Sequence, residues 1–436
     1  MSKNIVLILM DQLQADILGA YGGDFVPTPN IDNVANEGCV FERMYCQAPV
    51  CGPARASLLT GRYVFQHRVT NNMRLLPDSE FSYARALRKS GYTAVAVGRT
   101  HHYANGFQSV PVPIAGSFEY DLEKNPVFGI SNYFQRGILE RGTPTYDERV
   151  TATACSFLED TARMQPFMMH IGVLAPHPPY ALSESYAKMF DPADVPLPAQ
   201  PEKKDIPPLL TKRYKKYAWL DEEAARKGIA FYCGMVKLVD DCIGQIVKKL
   251  RDLGLYDDTL LIISSDHGEM LGERGLYDKF VPYENSSRIP CIVHGGKFVG
   301  GRRIRQLTEQ IDLTATMLEY AGVDIPSCMS GKPLSGLACG KTEHRDYIYS
   351  QITEWRMLRD ERYKLVIYTD GYGELYDLQN DPLESHNLYY DPEQASARYI
   401  MEEKLLMHYI NTVDHSNDLF PECIQKRGAF NNGIGN

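Results

Sequence analysis

None of the ten cysteines forms a C-x-x-C pair, which removes the ligand spacing of a structural zinc site and the density of a disulfide framework. The positions 39, 46, 51, 155, 233, 242, 291, 328, 339 and 423 therefore read as ordinary thiols unless a local reason singles one out. No apolar run approaches the roughly 20 residues that cross a bilayer. Residues 5–10 are apolar but stop at Asp11, too short for a signal core and without a small-residue cleavage site. A cytoplasmic protein with no membrane partner is the expectation. Basic excess is missing too: 46 Lys plus Arg face 55 Asp plus Glu, a net charge of −9. That sign argues against nucleic acid as a partner, and any anion site has to be built locally against the overall field. Internal repeats and low-complexity tracts are also missing.

What is present suffices for one large core and a smaller domain: 436 residues, 44% hydrophobic and 23% charged, exclude disordered and fibrous classes. Short apolar runs rich in β-branched residues at 4–10, 93–98, 167–174 and 259–264 read as buried parallel strands. Helical spacing lies between them. One helix starts at Thr28-Pro29-Asn30, continues through Ile31, Val34 and Ala35, and stops at Gly38. The longest runs from Tyr232 through Met235, Val239, Ile243, Ile246 and Leu250 to a stop at Gly254. Strands alternating with helices predict an α/β domain over residues 1–335, with a large, mainly parallel sheet flanked by helices. The Pro-rich, charged stretch 191–216 reads as an excursion over the surface. Closely spaced strands at 345–352, 355–359, 363–369 and 374–378, then a helix through Leu405, Tyr409 and Val413, predict a small C-terminal domain over 336–436, an antiparallel sheet plus helix.

What halts the four strands carries the chemistry. Asp11-Gln12 ends the first, Arg99-Thr100-His101-His102 the second, His177 the third after Ala175-Pro176, and Asp266-His267-Gly268-Glu269 the fourth. Singly, each has an ordinary explanation, an N-capping Asp or a hydrogen-bonded His. Ligands of open α/β sheets bind at the carboxyl ends of strands, so four such endings on one rim converge carboxylates, an amide, imidazoles and a guanidinium in one crevice. Acid oxygens suit a hard divalent cation, and a cation beside Arg and His suits an anionic substrate. His67, His170 and His294 have no such company and read as structural; His102 reads as a pocket-wall or structural residue.

The segment 48–62 contains Cys51-Gly52-Pro53-Ala54-Arg55 and then Leu59-Thr60-Gly61-Arg62, the pattern C-x-P-x-R followed by L-T-G-R. In this the sequence resembles the type I sulfatases of the alkaline phosphatase superfamily, whose signature is this peptide. The resemblance continues in order along the chain: Asp11, Gly98-Arg99-Thr100-His101, Ala175-Pro176-His177-Pro178-Pro179-Tyr180, Ser265-Asp266-His267-Gly268-Glu269, the stretch 271–279 ending in Lys279, and the C-terminal Gly373-Glu374-Leu375-Tyr376-Asp377-Leu378. It implies an alkaline phosphatase-like fold and hydrolysis of a sulfate monoester, from a carbohydrate or an aryl alcohol. It implies that Cys51 is converted by a formylglycine-generating maturation enzyme to 3-oxoalanine (formylglycine), whose gem-diol attacks sulfur and later expels sulfate by breaking carbon–oxygen. It also implies a Ca2+ ion, with Mg2+ as a substitute, on Asp11, Gln12, position 51, Asp266 and His267.

By the same resemblance Arg55 holds the gem-diol oxygen and the metal ligands, and His101 is the base that lets sulfate leave. His177 and Lys279 contact the sulfate and the departing oxygen. Two positions depart from the pattern. Arg99 stands where a lysine is usual, keeping the charge on a planar fork. Gln12 stands where a second Asp is common, and either ligates through its amide oxygen or hydrogen-bonds behind the ligands. A sulfated small molecule or saccharide is the expected substrate. The nearest rival is a phosphonate monoester or phosphodiester hydrolase of the same superfamily, which the variants at 11–12 and 51–55 also resemble; His101 with a basic residue at 99 favours the sulfatase. A choline sulfate cage finds little support in two tryptophans. A non-catalytic binding protein on this scaffold would have been free to lose the motif residues that are all present here.

Overall fold

A computed structural model describes residues 4–101, 106–110, 136–161, 166–198, 206–218 and 220–412. An eight-stranded sheet is built from β1 (Asn4–Asp11), β2 (Cys39–Phe41), β3 (Thr93–Gly98), β4 (Gln108–Val110), β5 (Phe167–Pro176), β6 (Thr259–Ser265), β7 (Cys291–His294) and β8 (Arg302–Ile304). The strands lie in the order β8-β2-β7-β6-β1-β5-β3-β4. Only β7 runs against its neighbours, pairing antiparallel with β6 and β2. The four strands expected from the sequence form the middle of the sheet. Every residue of β1 is buried, as a central parallel strand covered on both faces requires.

Side chains alternate along β1 and so supply two cores. Val6, Ile8 and Met10 face a layer containing α1 (Pro29–Glu37), α3 (Tyr146–Thr161) and α4 (Glu222–Asp252). Ile5, Leu7 and Leu9 face α2 (Cys51–Thr60) and α5 (Ile311–Ala321). The long helix α4 is capped by Asp221, whose carboxylate accepts from Ala224 N at 2.8 Å. It ends where Gly254 takes the left-handed conformation, φ 65°, and Leu255 N returns to Leu250 O. The strands β2, β7 and β8 are three or four residues long, too short for their pattern to stand out in the sequence.

The C-terminal strands β9 (Tyr347–Gln351), β10 (Trp355–Asp360), β11 (Tyr363–Tyr368) and β12 (Gly373–Asp377) form one antiparallel sheet in chain order, with α6 (Ala395–Thr412) packed on it. Two local expectations change. Arg345, read as the start of a strand, lies outside β9 and pairs with Asp312 and Glu309. The excursion at 191–216 includes a helix, Thr211–Tyr217, which turns inward: Tyr217 is buried, with its ring 5.5 Å from that of Tyr277. Its run of lysines hid those anchoring tyrosines. Val413 and residues 199–205 lie outside the described residues.

Candidate active site

The carboxyl ends of β1, β6, β5 and β3 lie side by side, so Asp11, Asp266-His267, His177 and Arg99 emerge on one rim. The turn after β3 depends on glycine. A Cβ on Gly172 of β5 would stand 1.9 Å from Arg99 O, so only glycine lets Arg99 N bond Gly172 O at 2.8 Å. Helix α2 approaches with its first residue, Cys51, pointing into the same crevice. Arg55, one turn later, is buried there and ties the ends together: Nε reaches Asp266 Oδ2 at 2.8 Å, Nη1 reaches Arg99 O at 2.9 Å, and Nη2 lies 3.3 Å from Asp11 Oδ2. Arg99 Nε pairs with Asp11 Oδ2 at 2.8 Å.

The Cys51 sulfur is the point on which the site converges. Lys279 Nζ and His267 Nε2 each lie 3.2 Å from it and Asp11 Oδ1 lies 3.5 Å away. His101 and His177 also act on the same sulfur in favour of its charged form. Burial opposes ionisation of this thiol, yet Lys279, His267, His101 and His177 hold it well below the usual thiol range. Cys46, five residues earlier, shows the ordinary outcome: burial, with Asp266 adding to it, pushes that thiol well above the range. Burial and the charge at 51 would likewise raise Asp11, but Arg99, His177 and Arg55 hold its carboxyl at about 2. The crevice therefore favours a negative charge at position 51 and keeps its acid ionised beside it.

Asp11, Cys51, Asp266 and His267 offer ligand atoms that all lie within 4.8 Å of one another, and all four residues are buried. His267 Nδ1 sits 3.0 Å from Gly268 O and donates to it, which leaves Nε2 as the ring nitrogen that faces the crevice. Carboxylate oxygens with one imidazole fit a divalent cation held mainly by oxygen. Gln12 lies at the edge of this group. Its backbone sits at φ 71°, a left-handed conformation that is uncommon outside glycine and concentrates at functional sites. Its amide oxygen accepts from Lys279 Nζ at 2.6 Å.

All ten residues singled out in the sequence thus meet in one crevice. Three more contribute that were not singled out. Asn72 Oδ1 accepts from Gly52 N at 2.7 Å, pinning a loop to the first turn of α2. Asp147 accepts from Leu174 N at 2.7 Å and Ala175 N at 3.2 Å, fixing the chain just before His177. Glu269 is buried and accepts from Gln12 Nε2. Asn72 and Asp147 are lone polar residues far in sequence from their partners; Glu269 was within the fourth strand ending but carried no role. The three histidines read as structural are so: His67 Nε2 meets Ser57 Oγ at 2.8 Å and Tyr83 OH meets His170 Nδ1 at 2.8 Å, while His294 stacks on Tyr256. His102 lies outside the described residues.

The sulfatase family model matches residues 3–323, and a model of the N-sulphoglucosamine sulphohydrolase C-terminal region matches residues 272–410. The chain is 29% identical to the multifunctional alkaline phosphatase superfamily protein PehA of Trinickia caryophylli, over 95% of this chain and 96% of that one. It is 26% identical to an N-acetylglucosamine-6-O-sulfatase of Bacteroides thetaiotaomicron, over 93% of this chain and 85% of that one. Among solved structures, a phosphonate monoester hydrolase from Silicibacter pomeroyi superposes with a TM-score of 0.84 at 26% identity, covering 96% of this chain and 97% of that chain.

Proposed function

We propose that this chain, which belongs to the sulfatase family, hydrolyses a sulfate monoester of a saccharide or an aryl alcohol after conversion of Cys51 to formylglycine by a maturation enzyme. The observation that carries the reading is the field around position 51. Lys279 and His267 stand 3.2 Å from its side chain, and His101 and His177 add to the stabilisation of a charge there. A site meant only to bury a thiol would favour the neutral form, as Cys46 shows. Here the surroundings favour an anion, which is what a nucleophilic oxygen at 51 requires.

Asp11, Asp266, His267 and position 51 would hold a divalent cation, Ca2+ by their oxygen-rich chemistry, with the Gln12 amide oxygen available from the edge. Such an ion, with the aldehyde hydrate, would supply a nucleophilic oxygen ionised at neutral pH. The rest falls to the chain's own residues. Arg55 spans Asp11 and Asp266 and keeps the two acids at fixed separation. Arg99 and Lys279 bring positive charge to the equatorial oxygens of the ester. His177, one-fifth exposed at the mouth, is placed to donate a proton to the departing oxygen, and His101 to take the proton whose loss releases sulfate.

A second reading, hydrolysis of a phosphonate monoester or phosphodiester, draws on Gln12 and on the likeness to the hydrolase from Silicibacter pomeroyi. The pair Arg99 and His101 favours sulfate. The test is a panel of sulfated sugars, aryl sulfates, choline sulfate and a phosphonate monoester, run on protein whose Cys51 peptide has been shown by mass spectrometry to carry the aldehyde. Faster turnover of a sulfate ester than of the phosphonate is the expected result. A protein produced with a maturing enzyme that stays wholly as thiol and turns over no ester would overturn the proposal.

A further inference from the structure

Gln12 is held by more than its neighbours in the crevice. Its backbone N–H donates to Asp266 Oδ1 at 3.1 Å and its carbonyl accepts from Tyr232 OH at 2.8 Å, which locks the left-handed φ and aims the side chain along one line. At one end of that side chain stands Lys279 Nζ, 2.6 Å from Oε1. At the other stands the Glu269 carboxylate, which accepts from Nε2. An ammonium only donates and an ionised carboxylate only accepts. The two ends therefore demand the same orientation: amide nitrogen toward Glu269, amide oxygen toward Lys279 and the crevice.

Glu269 has a second attachment. Its Oε1 accepts from Leu271 N at 2.8 Å and from Asp278 N at 2.6 Å, while Met270 N bonds Asp278 O at 3.0 Å. One carboxylate thus closes both ends of the loop 269–279 that delivers Lys279 and fixes the residue that Lys279 touches. We propose that Glu269 is a positioning residue, which sets the Gln12 amide with its oxygen toward Lys279 and the cation site and thereby fixes Lys279 against position 51. This explains the departure at position 12: an acid there would press its carboxylate against that of Glu269, whereas an amide links the two. The inference rests on the hydrolase reading for its kinetic arm only.

The test is a reversed pair. Glu269→Gln keeps an oxygen for Leu271 N and Asp278 N but turns its own NH2 toward Gln12, so the Gln12 amide has to flip and present nitrogen to Lys279. Gln12→Glu with Glu269→Gln restores the link with its polarity reversed. On matured full-length enzyme with nitrophenyl sulfate, Glu269→Gln should lower kcat/KM at least about tenfold, the scale of one oriented hydrogen bond to a charged group. Hydrogen exchange of the 269–279 peptide should stay at the wild-type rate, since the loop keeps its acceptor. The double variant should return to within about threefold of wild type.

Calcium titration of the unmatured proteins by calorimetry supplies an arm independent of turnover, with affinity lower in Glu269→Gln and recovered in the double variant. A Glu269→Gln enzyme equal to wild type in both arms, or a double variant no better than Glu269→Gln, overturns the proposal. Faster exchange of the loop in Glu269→Gln also overturns it, by reducing Glu269 to a structural clamp. A wild type that turns over no ester overturns the hydrolase reading alone, and the calcium arm then decides the role of Glu269.

Discussion

Among the described residues, two of the buried groups of charges are organised in opposite ways. At the junction of the large and small sheets, Asp312 and Glu309 face Arg345. Asp312 also accepts from His344 Nε2 at 3.0 Å, Glu309 N at 2.9 Å and Lys332 N at 2.7 Å. Glu309 accepts from Tyr349 N and Tyr63 OH, each at 2.8 Å. Burial pushes Glu309 up to about 7, while burial is outweighed at Asp312 by Arg345 and His344, which hold its carboxyl well below the usual range. Every acid there has its partners within the protein. In the crevice, Arg55, Arg99, Lys279, His101, His177 and His267 gather around the carboxylates of Asp11 and Asp266 and the side chain of Cys51, and they favour a negative charge at that one point. Burial of charge therefore does not by itself mark a functional site; surplus donors aimed at one atom do.

The sharpest way to break this contrast is to remove the point of convergence. Cys51→Ala should abolish multiple turnover, a loss of about four decades or more, while leaving the thermal melting point near that of wild type; measurable steady-state turnover would contradict the assignment. The opposite pattern is expected at the junction. Arg345→Met strands Asp312 in the interior and should cost about 3–5 kcal/mol in urea unfolding, with kcat unchanged in the surviving folded enzyme.

Two smaller effects sharpen the picture at the rim. His177→Ala should slow esters of poor leaving groups by about 10²–10³ and nitrophenyl sulfate much less, because a good leaving group needs little protonation; equal losses on both would remove the proton-donor role. Asp147, which fixes the approach to His177, is pushed up by burial to about 6 from the usual 3.8, against two backbone hydrogen bonds. The folded state therefore binds this proton more tightly than the unfolded chain. Its contribution is fully present below about pH 4 and fades as the pH rises through about 6. Between pH 4.5 and 7 that amounts to about 2 kcal/mol, and Asp147→Asn should flatten that part of the pH profile of unfolding free energy.

The same contrast governs what could be read from the sequence. The crevice was legible because its parts sit at the ends of strands whose apolar runs are long and unbroken, and because the C-x-P-x-R and L-T-G-R peptide is local. Asp147 and Asn72 were not, since each acts on backbone groups brought near only by tertiary packing: Asp147 reaches Leu174 N, and Asn72 crosses a loop to Gly52 N. The junction was illegible for the same reason. Arg345 looks like the first residue of a strand until Asp312, on α5, claims it. The helix Thr211–Tyr217 was lost behind its lysines, its anchoring contact being the pair Tyr217 and Tyr277.

All ten residues of α2 are buried, and Cys51 at its start is only 1% exposed. Catalysis gains from this, but a second enzyme would find nothing to grasp. If Cys51 is converted as proposed above, the maturation enzyme would have to reach it before α2 packs. A Cys51 that missed this conversion would then stay buried in the folded protein, so treating the folded protein with the maturation enzyme should leave its active fraction unchanged.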